Sequence, residues 1–296
     1  MEAALAYLEK VPGFDKDKYL KAKTTRCIRT NTLKISPKEL EERLSGTFRL
    51  EKIPWLDYGW RIEAEKPGNT IEHSLGYYFV QDAASMAVSL LMNAQKGGKI
   101  LDISAAPGAK ITHIAQIVGN SGVLVANDAS YKRLKALAAN IQRMGVTNAI
   151  ITQADGRLYS QWAKGLFDNV LADVPCSGLG KMRFAEEISR RLENLNLEEI
   201  TNLQEQLLIS GFECLKTGGE LVYSTCTLTI EENEANVQKL LEKFDNAKIQ
   251  KISVKNLKYE KGITEGFRSE MGNCIRIYPY LNDTDGFFIA KIRKDI

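Results

Sequence analysis

Beyond Tyr77 the chain alternates between stretches with apolar residues at helical spacing and short, wholly apolar runs. The stretches from Asp82 to Asn93 and from Leu203 to Leu215 have the spacing of amphipathic helices, and Gly218-Gly219 marks a stop after the second. The short runs have the composition of buried parallel strands and lie at residues 99–103, 123–127, 149–153, 169–172 and 220–224. This alternation predicts a doubly wound α/β sheet whose ligand lies at the carboxyl ends of the strands.

The end of the chain has a different pattern. Two apolar runs, Cys274 to Ile277 and Phe287 to Ile292, are joined through the turn-rich residues 282–286. Runs of this kind on either side of a turn predict an antiparallel hairpin. We expect this hairpin at the edge of the sheet.

Residues 1–75 differ in character and are predicted to form a small α+β module, which leaves residues 76–296 as the main domain. Ser36-Pro37 indicates the N-cap and first turn of a short helix. Short strands are expected around residues 26–33 and 48–62.

The same module is rich in basic residues and contains three aromatic residues close together. Between residues 16 and 34 a single acid, Asp17, accompanies seven basic residues: Lys16, Lys18, Lys21, Lys23, Arg26, Arg29 and Lys34. Trp55, Tyr58 and Trp60 follow. Basic groups neutralise phosphates and exposed aromatic rings stack on bases, which favours RNA binding. The alternative is a solvated basic face with both tryptophans packed beneath a small sheet.

Composition limits the class of protein. The chain has 296 residues, of which 44% are hydrophobic and 26% charged, and a net charge of +3. A chain of this length hides enough surface to fold without disulfides or metals. No apolar run approaches the roughly 20 residues that span a bilayer, so we expect a soluble, cytoplasmic protein. We also expect it to be a monomer. The five cysteines include no C-x-x-C pair and there are two histidines, which argues against a metal centre.

The first chemical signal is a loop of small residues between the run at 99–103 and a helix predicted to begin near Ile111. It consists of Ser104, Ala105, Ala106, Pro107, Gly108, Ala109 and Lys110. Small residues let backbone N–H groups approach a ligand, and the helix start adds a partial positive charge suited to a carboxylate. Neither the dinucleotide fingerprint nor the phosphate loop is present, which weakens nicotinamide and nucleoside triphosphate hypotheses.

Acids follow the next two predicted strands. Asp128 is placed where an acid receives the hydroxyls of a ribose, and Asp155 where it meets an adenine amino group. A single acid at a strand end is more often a helix cap. Successive acids beside a small-residue loop favour a nucleoside-containing cofactor.

Two cysteines follow the last two predicted parallel strands. Cys176 lies in Asp173-Val174-Pro175-Cys176-Ser177-Gly178, and Cys226 in Ser224-Thr225-Cys226. Both are expected at the carboxyl end of the sheet, where chemistry occurs. Cys27, Cys214 and Cys274 have the setting of buried, inert cysteines.

These motifs resemble the Nop2/Sun family of RNA cytosine-5 methyltransferases. The resemblance covers most of the chain and rests on these segments: Arg29 to Lys34, Gln81 to Met86, Ala105 to Lys110, Asp173 to Gly178, Leu203-Gln204, Ser224 to Cys226, Glu231 to Glu234 and Asp285 to Phe288. It implies a Rossmann-like, S-adenosylmethionine-dependent methyltransferase domain, preceded here by the small module. A compact chain of this kind looks similar to the archaeal transfer RNA type.

The resemblance also implies a role for each residue. The loop from Ser104 to Lys110 would hold the methionine part of the cofactor, with Asp128 at the ribose, Arg133 beside it, Asp155 at the adenine and Asp173 at the reaction centre. Cys226 would be the nucleophile that adds to carbon 6 of cytosine, and Cys176 would assist its release. Lys110 and the sulfonium are candidate causes of a lowered Cys226 pKa. Lys181 departs from the family pattern, in a segment expected to grip RNA.

Four alternatives remain. Ribosomal RNA is the alternative substrate, ranked behind transfer RNA, and a non-catalytic RNA-binding protein with a methyltransferase fold is the alternative from another class. A DNA cytosine methyltransferase would use Cys176 and leave Cys226 without a role. An adenine N6-methyltransferase would carry an aromatic residue where this chain has Cys176.

Overall fold

A computed structural model describes residues 2–181 and 196–296 of the chain. The amino-terminal part contains a four-stranded antiparallel sheet in the order β2-β3-β1-β4. Its strands are β1 (Arg26–Thr30), β2 (Leu50–Ile53), β3 (Leu56–Ile62) and β4 (Tyr78–Val80). The helices of this part are α1 (Glu2–Leu8), α2 (Lys16–Lys21), α3 (Pro37–Leu44) and α4 (Ile71–Ser74). Helix α3 packs against the sheet, whereas α1 and α2 pack against Leu179, Leu228 and Tyr278 of the main domain.

Helix α3 begins where the sequence predicts. The Ser36 side chain accepts from the Glu39 backbone N–H while the Glu39 carboxylate accepts from the Ser36 N–H, which forms a capping box. The expected strand over residues 48–62 is two strands, β2 and β3, joined by a tight turn at Pro54 and Trp55.

The two tryptophans are packed inside, so the base-stacking hypothesis is wrong for them. Trp60 is 1% exposed, and its Nε1 donates to Thr30 Oγ1 over 2.9 Å. Trp55 belongs to the core shared with the main domain. Tyr58 is partly buried, and its hydroxyl lies 2.9 Å from His113 Nε2. The aromatic cluster therefore stabilises the fold.

Some of the basic residues in the module also serve the fold. The fully buried Arg29 donates Nη2 to Thr112 Oγ1 over 2.9 Å. Lys34 Nζ donates to the Arg143 carbonyl over 2.7 Å. Lys16, Lys18, Lys21 and Lys23 are exposed. The basic face available to a ligand is therefore smaller than the sequence indicates.

The main sheet has nine strands among the described residues, in the order β11-β12-β13-β9-β8-β5-β6-β7, with β10 paired to β13. They are β5 (Lys99–Asp102), β6 (Val123–Asn127), β7 (Ala149–Thr152), β8 (Phe167–Asp173), β9 (Leu215–Thr225), β10 (Ala247–Gln250), β11 (Glu260–Lys261), β12 (Ile275–Ile277) and β13 (Phe287–Lys294). Strands β5 to β9 pair in parallel, and β13 joins β9 antiparallel. The predicted α/β architecture is confirmed.

Helices cover both faces of this sheet. They are α5 (Ala83–Leu91), α6 (Ala109–Val118), α7 (Tyr131–Met144), α8 (Ser160–Ala163), α9 (Leu197–Cys214), α10 (Glu234–Lys243) and α11 (Pro279–Asn282). Successive residues of β5 point to opposite faces, so Ile100 packs in the core that contains α5 and α6 while Leu101 packs in the core of α9 and α10. Strand β5 is consequently buried on both sides, as its sequence predicts. Strand β7, at the edge of the sheet, differs from the prediction of a buried strand, because Ile150 is 54% and Ile151 38% exposed.

Two strand predictions need correction. The hairpin of β12 and β13 is antiparallel, but β11 continues the sheet beyond it and α11 occupies part of its connection. Strand β9 begins at Leu215, directly after α9, and runs through Gly218-Gly219. The glycine pair therefore lies within an irregular start of the strand, where the β8–β9 register shifts.

In the part of the chain that the structure describes, no helix is long and apolar enough to cross a membrane.

Candidate active site

A cleft of about 590 Å³ lies at the carboxyl ends of β5, β8 and β9, where the sequence predicts a ligand. The loop after β5 forms one wall, and the segments after β8 and β9 form the floor. Phe79, Gln81 and Asp82 close it from the side of the small sheet, and Phe287 lines it at the start of β13. This volume is typical of small-molecule sites, which occupy roughly 300–1,000 Å³.

The two cysteines predicted to carry chemistry meet in this cleft. Strands β8 and β9 are parallel neighbours with Asp173 opposite Ser224, so the segments that follow them emerge side by side. Cys176 Sγ lies 3.0 Å from Cys226 Sγ, and both residues are partly exposed. Cys27, Cys214 and Cys274 are buried.

The surroundings of the two thiols push their acidities apart. A hydrogen bond from Cys176 lowers the pKa of Cys226, and the positive charges of Lys181 and Lys110 act in the same direction against burial and Asp173. The hydrogen bond with Cys226 raises the pKa of Cys176, and burial and Glu232 raise it further. The charges of Lys181 and Lys110 therefore favour the thiolate on Cys226, and the Cys176 sulfur lies within hydrogen-bond distance of it.

Asp173 and Lys110 form an ion pair beside the thiols. Lys110 Nζ lies 2.7 Å from Asp173 Oδ2, and Ser224 Oγ donates to Asp173 Oδ1 over 2.7 Å. Lys110 is 9% exposed and comes from the first turn of α6. Its ammonium is therefore paired with the Asp173 carboxylate. Among the positive charges that lower the pKa of Cys226, Lys181 has a larger effect than Lys110.

A buried carboxylate, Glu232, holds the loop that carries Cys176. It accepts from Ser177 N over 2.9 Å, Ser177 Oγ over 2.5 Å, Gln204 Nε2 over 2.8 Å and Thr229 Oγ1 over 3.0 Å. Gln204 also donates to the Pro175 carbonyl over 2.8 Å. Sequence reasoning gave Glu232 no role, although its signal was a run of acids just after the second cysteine motif.

The small-residue loop forms the wall opposite the cysteines. Ser104, Ala106, Pro107, Ala109 and Lys110 line the cleft, whereas the Ala105 and Gly108 side of the loop is buried. Gly108 has φ +108°, and an added Cβ would meet Leu137 Cδ1 at 3.1 Å, so both conformation and space favour glycine there. The first N–H groups of α6 follow directly, at the helix end that favours a carboxylate.

The predicted cofactor acids lie at the same edge of the sheet with different partners. Asp128 is 2% exposed, bonded to Ala106 N over 3.3 Å and to Arg133 Nη1 over 3.1 Å. Arg133 lines the cleft. Asp155 caps the 3₁₀ turn Gly156–Leu158 and binds the Arg157 guanidinium at 2.6 Å, in a neighbouring cavity. Its contact with adenine stays a prediction.

Within residues 2–181 and 196–296 there is no group of three or more histidine, cysteine or acidic residues arranged to hold a metal ion.

Comparison with known proteins agrees with this geometry. A family model described as 16S rRNA methyltransferase RsmB/F matches residues 89–293, and one described as the N-terminal domain of 16S rRNA methyltransferase RsmF matches residues 8–83. Two curated relatives named ribosomal RNA small subunit methyltransferase F come from Vibrio campbellii, 42% identical over 91% of this chain, and Aeromonas hydrophila, 41% identical over 91%. The chain spans 57% and 58% of their lengths.

Solved structures share the fold. A methyltransferase homolog from Pyrococcus horikoshii has a TM-score of 0.80 and 32% identity, covering 98% of this chain and 93% of its own. NSun6 from the same organism, solved with SFG, has a TM-score of 0.85 and 24% identity over 99% of this chain and 98% of its own. The Rossmann-like methyltransferase fold and the Nop2/Sun resemblance are both confirmed. With the family model covering most of its length, the chain belongs to the RsmB/F methyltransferase family.

Proposed function

We propose that this chain is an S-adenosylmethionine-dependent RNA cytosine-5 methyltransferase that acts on ribosomal RNA of the small subunit. The observation that carries the reaction is the pair of thiols 3.0 Å apart in the cleft, beside the Lys110–Asp173 ion pair. The resemblance to transfer RNA enzymes had favoured the other substrate. The curated relatives carry ribosomal RNA in their names, and this supports the ribosomal alternative.

The cleft fits the methyl donor. Its walls combine a backbone loop without bulky side chains, a helix start suited to the methionine carboxylate, and Asp173, which would face the sulfonium. Asp128, paired with the cleft-lining Arg133, would hold the ribose. When bound, S-adenosylmethionine supplies an electrophilic methyl group. Arg133 bonds to Asp128 and to the Ala106 carbonyl, so it fixes the loop against the acid.

Cys226 performs the step that makes cytosine reactive. Its thiolate forms a bond to carbon 6, and the electron pair of the 5,6 double bond becomes available at carbon 5 to accept the methyl group. Asp173, positioned by Lys110 and Ser224, acts in its protonated form: it donates to N3 and so stabilises the electron density that the addition pushes toward that side of the ring. A base then takes the carbon 5 proton, the double bond re-forms, and Cys226 leaves as the thiolate.

Cys176 is assigned to the release step. Its Sγ lies 3.0 Å from that of Cys226, and its raised pKa keeps it a thiol, so it can stabilise the departing Cys226 thiolate by donating a hydrogen bond. The cytosine must leave its stack to reach this cleft, which favours loops or opened helices of the RNA. We assign residues 1–75 to RNA binding, with the exposed Lys16, Lys18, Lys21 and Lys23 as phosphate contacts.

The test is methyl transfer from labelled S-adenosylmethionine to unmethylated 16S ribosomal RNA, small subunits and transfer RNA, followed by nucleoside analysis. We expect 5-methylcytosine in the ribosomal RNA, with a KM that rises between 50 and 200 mM salt. Label in transfer RNA alone would show that the substrate is transfer RNA and not ribosomal RNA. RNA binding without label in any pool would favour a non-catalytic RNA-binding protein.

Two substitutions separate the roles of the thiols. We expect Cys226→Ala to abolish transfer, and Cys176→Ala to trap a protein–RNA adduct that survives denaturation. Cys274→Ala, which removes a buried thiol outside the cleft, serves as the control. Adducts formed by Cys226→Ala would reverse the assignment.

A further inference from the structure

Lys181 lies in the thiol cleft, although the sequence placed it where RNA is gripped. It lines the same cavity as Cys176, Cys226 and Asp285. Its backbone is fixed against the nucleophile segment, because Lys181 N donates to Gly178 O and Gly180 N donates to Cys226 O, each over 2.9 Å. Gly180, the residue before Lys181, therefore bonds directly to the backbone of Cys226 and holds the lysine close to it.

Three cations line this cleft among the described residues, and they have different partners. Lys110 is bound to Asp173 at 2.7 Å, and Arg133 to Asp128 at 3.1 Å. Attraction to Cys226 is the largest cause that raises the pKa of Lys181, ahead of the effects of Cys176 and Asp285. Lys181 is therefore the cation whose strongest partner is the nucleophilic sulfur.

On the basis of the proposed function, we propose that Lys181 is the electrostatic partner that favours the thiolate form of Cys226 in the resting protein, before RNA and methyl donor bind. It acts through Cys226, as a positioning residue. Lys110, which the sequence suggested for this task, has a smaller effect on Cys226 and also orients Asp173.

The charge balance around Cys226 shows why a second cation is needed. Asp173 disfavours a negative charge on the Cys226 sulfur. Glu232 disfavours one on Cys176, and Asp285 attracts the ammonium of Lys181. Lys110 offsets Asp173 by pairing with it, which leaves little net positive charge from that pair. Lys181 supplies the remaining positive charge, and the Cys176 S–H completes the stabilisation.

The first experiment uses the protein alone and does not require activity. Iodoacetamide alkylation is followed from pH 5.5 to 9.5, with Cys226 and Cys176 resolved by peptide mass spectrometry, in the wild type, Lys181→Met, Lys181→Arg and the surface control Lys239→Met. We expect Lys181→Met to raise the Cys226 midpoint by about one pH unit, which corresponds to about tenfold slower alkylation at pH 7. Lys181→Arg and Lys239→Met should retain the wild-type profile.

The second experiment measures the single-turnover methyl-transfer rate over the same pH range. We expect Lys181→Met to lose about tenfold at pH 7 and to recover toward the wild-type rate near pH 9, since hydroxide then ionises the thiol. A rate loss that is equal at every pH would indicate a merely structural role. A raised KM with an unchanged pH profile would assign Lys181 to RNA phosphate, and either result overturns the inference.

The two experiments distinguish the inference from the function on which it rests. If the wild type transfers no methyl group but Lys181→Met shifts the Cys226 alkylation profile, the proposed function fails and the electrostatic pairing stands. If methyl transfer proceeds and both profiles are unchanged by Lys181→Met, the proposed function stands and the inference fails.

Discussion

Glu232 offers a direct test of how the Cys176 loop is held. Its carboxylate is fully buried, and its two oxygens have different partners. One oxygen accepts from two N–H groups, those of Ser177 and the Gln204 side chain. The other accepts from two hydroxyls, those of Ser177 and Thr229. N–H groups can only donate, whereas hydroxyls can turn and accept.

This asymmetry sets the expected magnitudes. Glu232→Ala leaves four buried donors without their acceptor, and each unsatisfied buried donor costs about 1–3 kcal/mol, so we expect a loss of at least about 3 kcal/mol. Glu232→Gln keeps an oxygen for the two N–H groups and places its NH₂ against the hydroxyls. The Ser177 hydroxyl can then accept from the amide and donate to Thr227 Oγ1, which lies 2.9 Å away. We expect this variant to lose about 1–2 kcal/mol.

The assay is the free energy of unfolding from urea titration of both variants, with the exposed neighbour change Glu231→Ala as control. Site-resolved alkylation of Cys176 should rise in Glu232→Ala, because its loop is released, and stay close to wild type in Glu232→Gln. Equal losses in the two variants would refute the distinction between N–H and hydroxyl partners. A loss in Glu232→Ala of less than about 1 kcal/mol would refute the network itself.

Two further predictions concern the backbone of the site and its pH dependence. An added Cβ at Gly180 would lie 2.3 Å from Gly286 O and 2.8 Å from Cys226 O, so Gly180→Ala should displace the nucleophile segment, cost about 1–3 kcal/mol and reduce methyl transfer at least tenfold. Gly46→Ala, where no atom lies within 4 Å, is the control, and equal behaviour of the two would contradict the geometry. Burial and Asp173 raise the pKa of Asp102 to about 8, so its contribution to stability is complete below about pH 4 and is lost as pH rises toward 8. Asp102→Asn should flatten that decline in urea titrations at pH 5 and 8, and parallel declines would show that another group causes it.

Much of the sheet follows from the sequence because its parallel strands are apolar on both faces. Residues 123–127 were predicted as a strand and form β6 with those bounds. The start of β9 could not be predicted, because Gly218-Gly219 gives the same local signal for a helix stop and for an irregular strand. The position of the hairpin also depended on β11, a two-residue strand too short to give a pattern.

The candidate site could likewise be predicted only in part from the sequence. Strand order and register place Cys176, Cys226 and Asp173 together, and the motifs had predicted both cysteines at the carboxyl end of the sheet. The ionic partner of each charged residue could not be predicted. Lys110, Arg157 and Lys181 all follow strand ends, and the sequence does not say which anion each one meets. Asp155 shows the consequence, since its carboxylate binds Arg157, which lies two residues away.

The two thiols have the same chemistry, so only their environments can give them different tasks. Cys226 meets the cations Lys181 and Lys110, and its pKa falls, whereas Cys176 meets Glu232 and its pKa rises. A pair of titratable groups whose pKa values are driven apart provides one group suited to attack and one suited to donating a proton. A thiolate on Cys176 would meet the negative charge of Glu232, and of the two lysines only Lys181 acts on it. The assignment of attack to Cys226 and release to Cys176 is therefore a proposal that the surrounding charges support, independently of the order of the motifs along the chain.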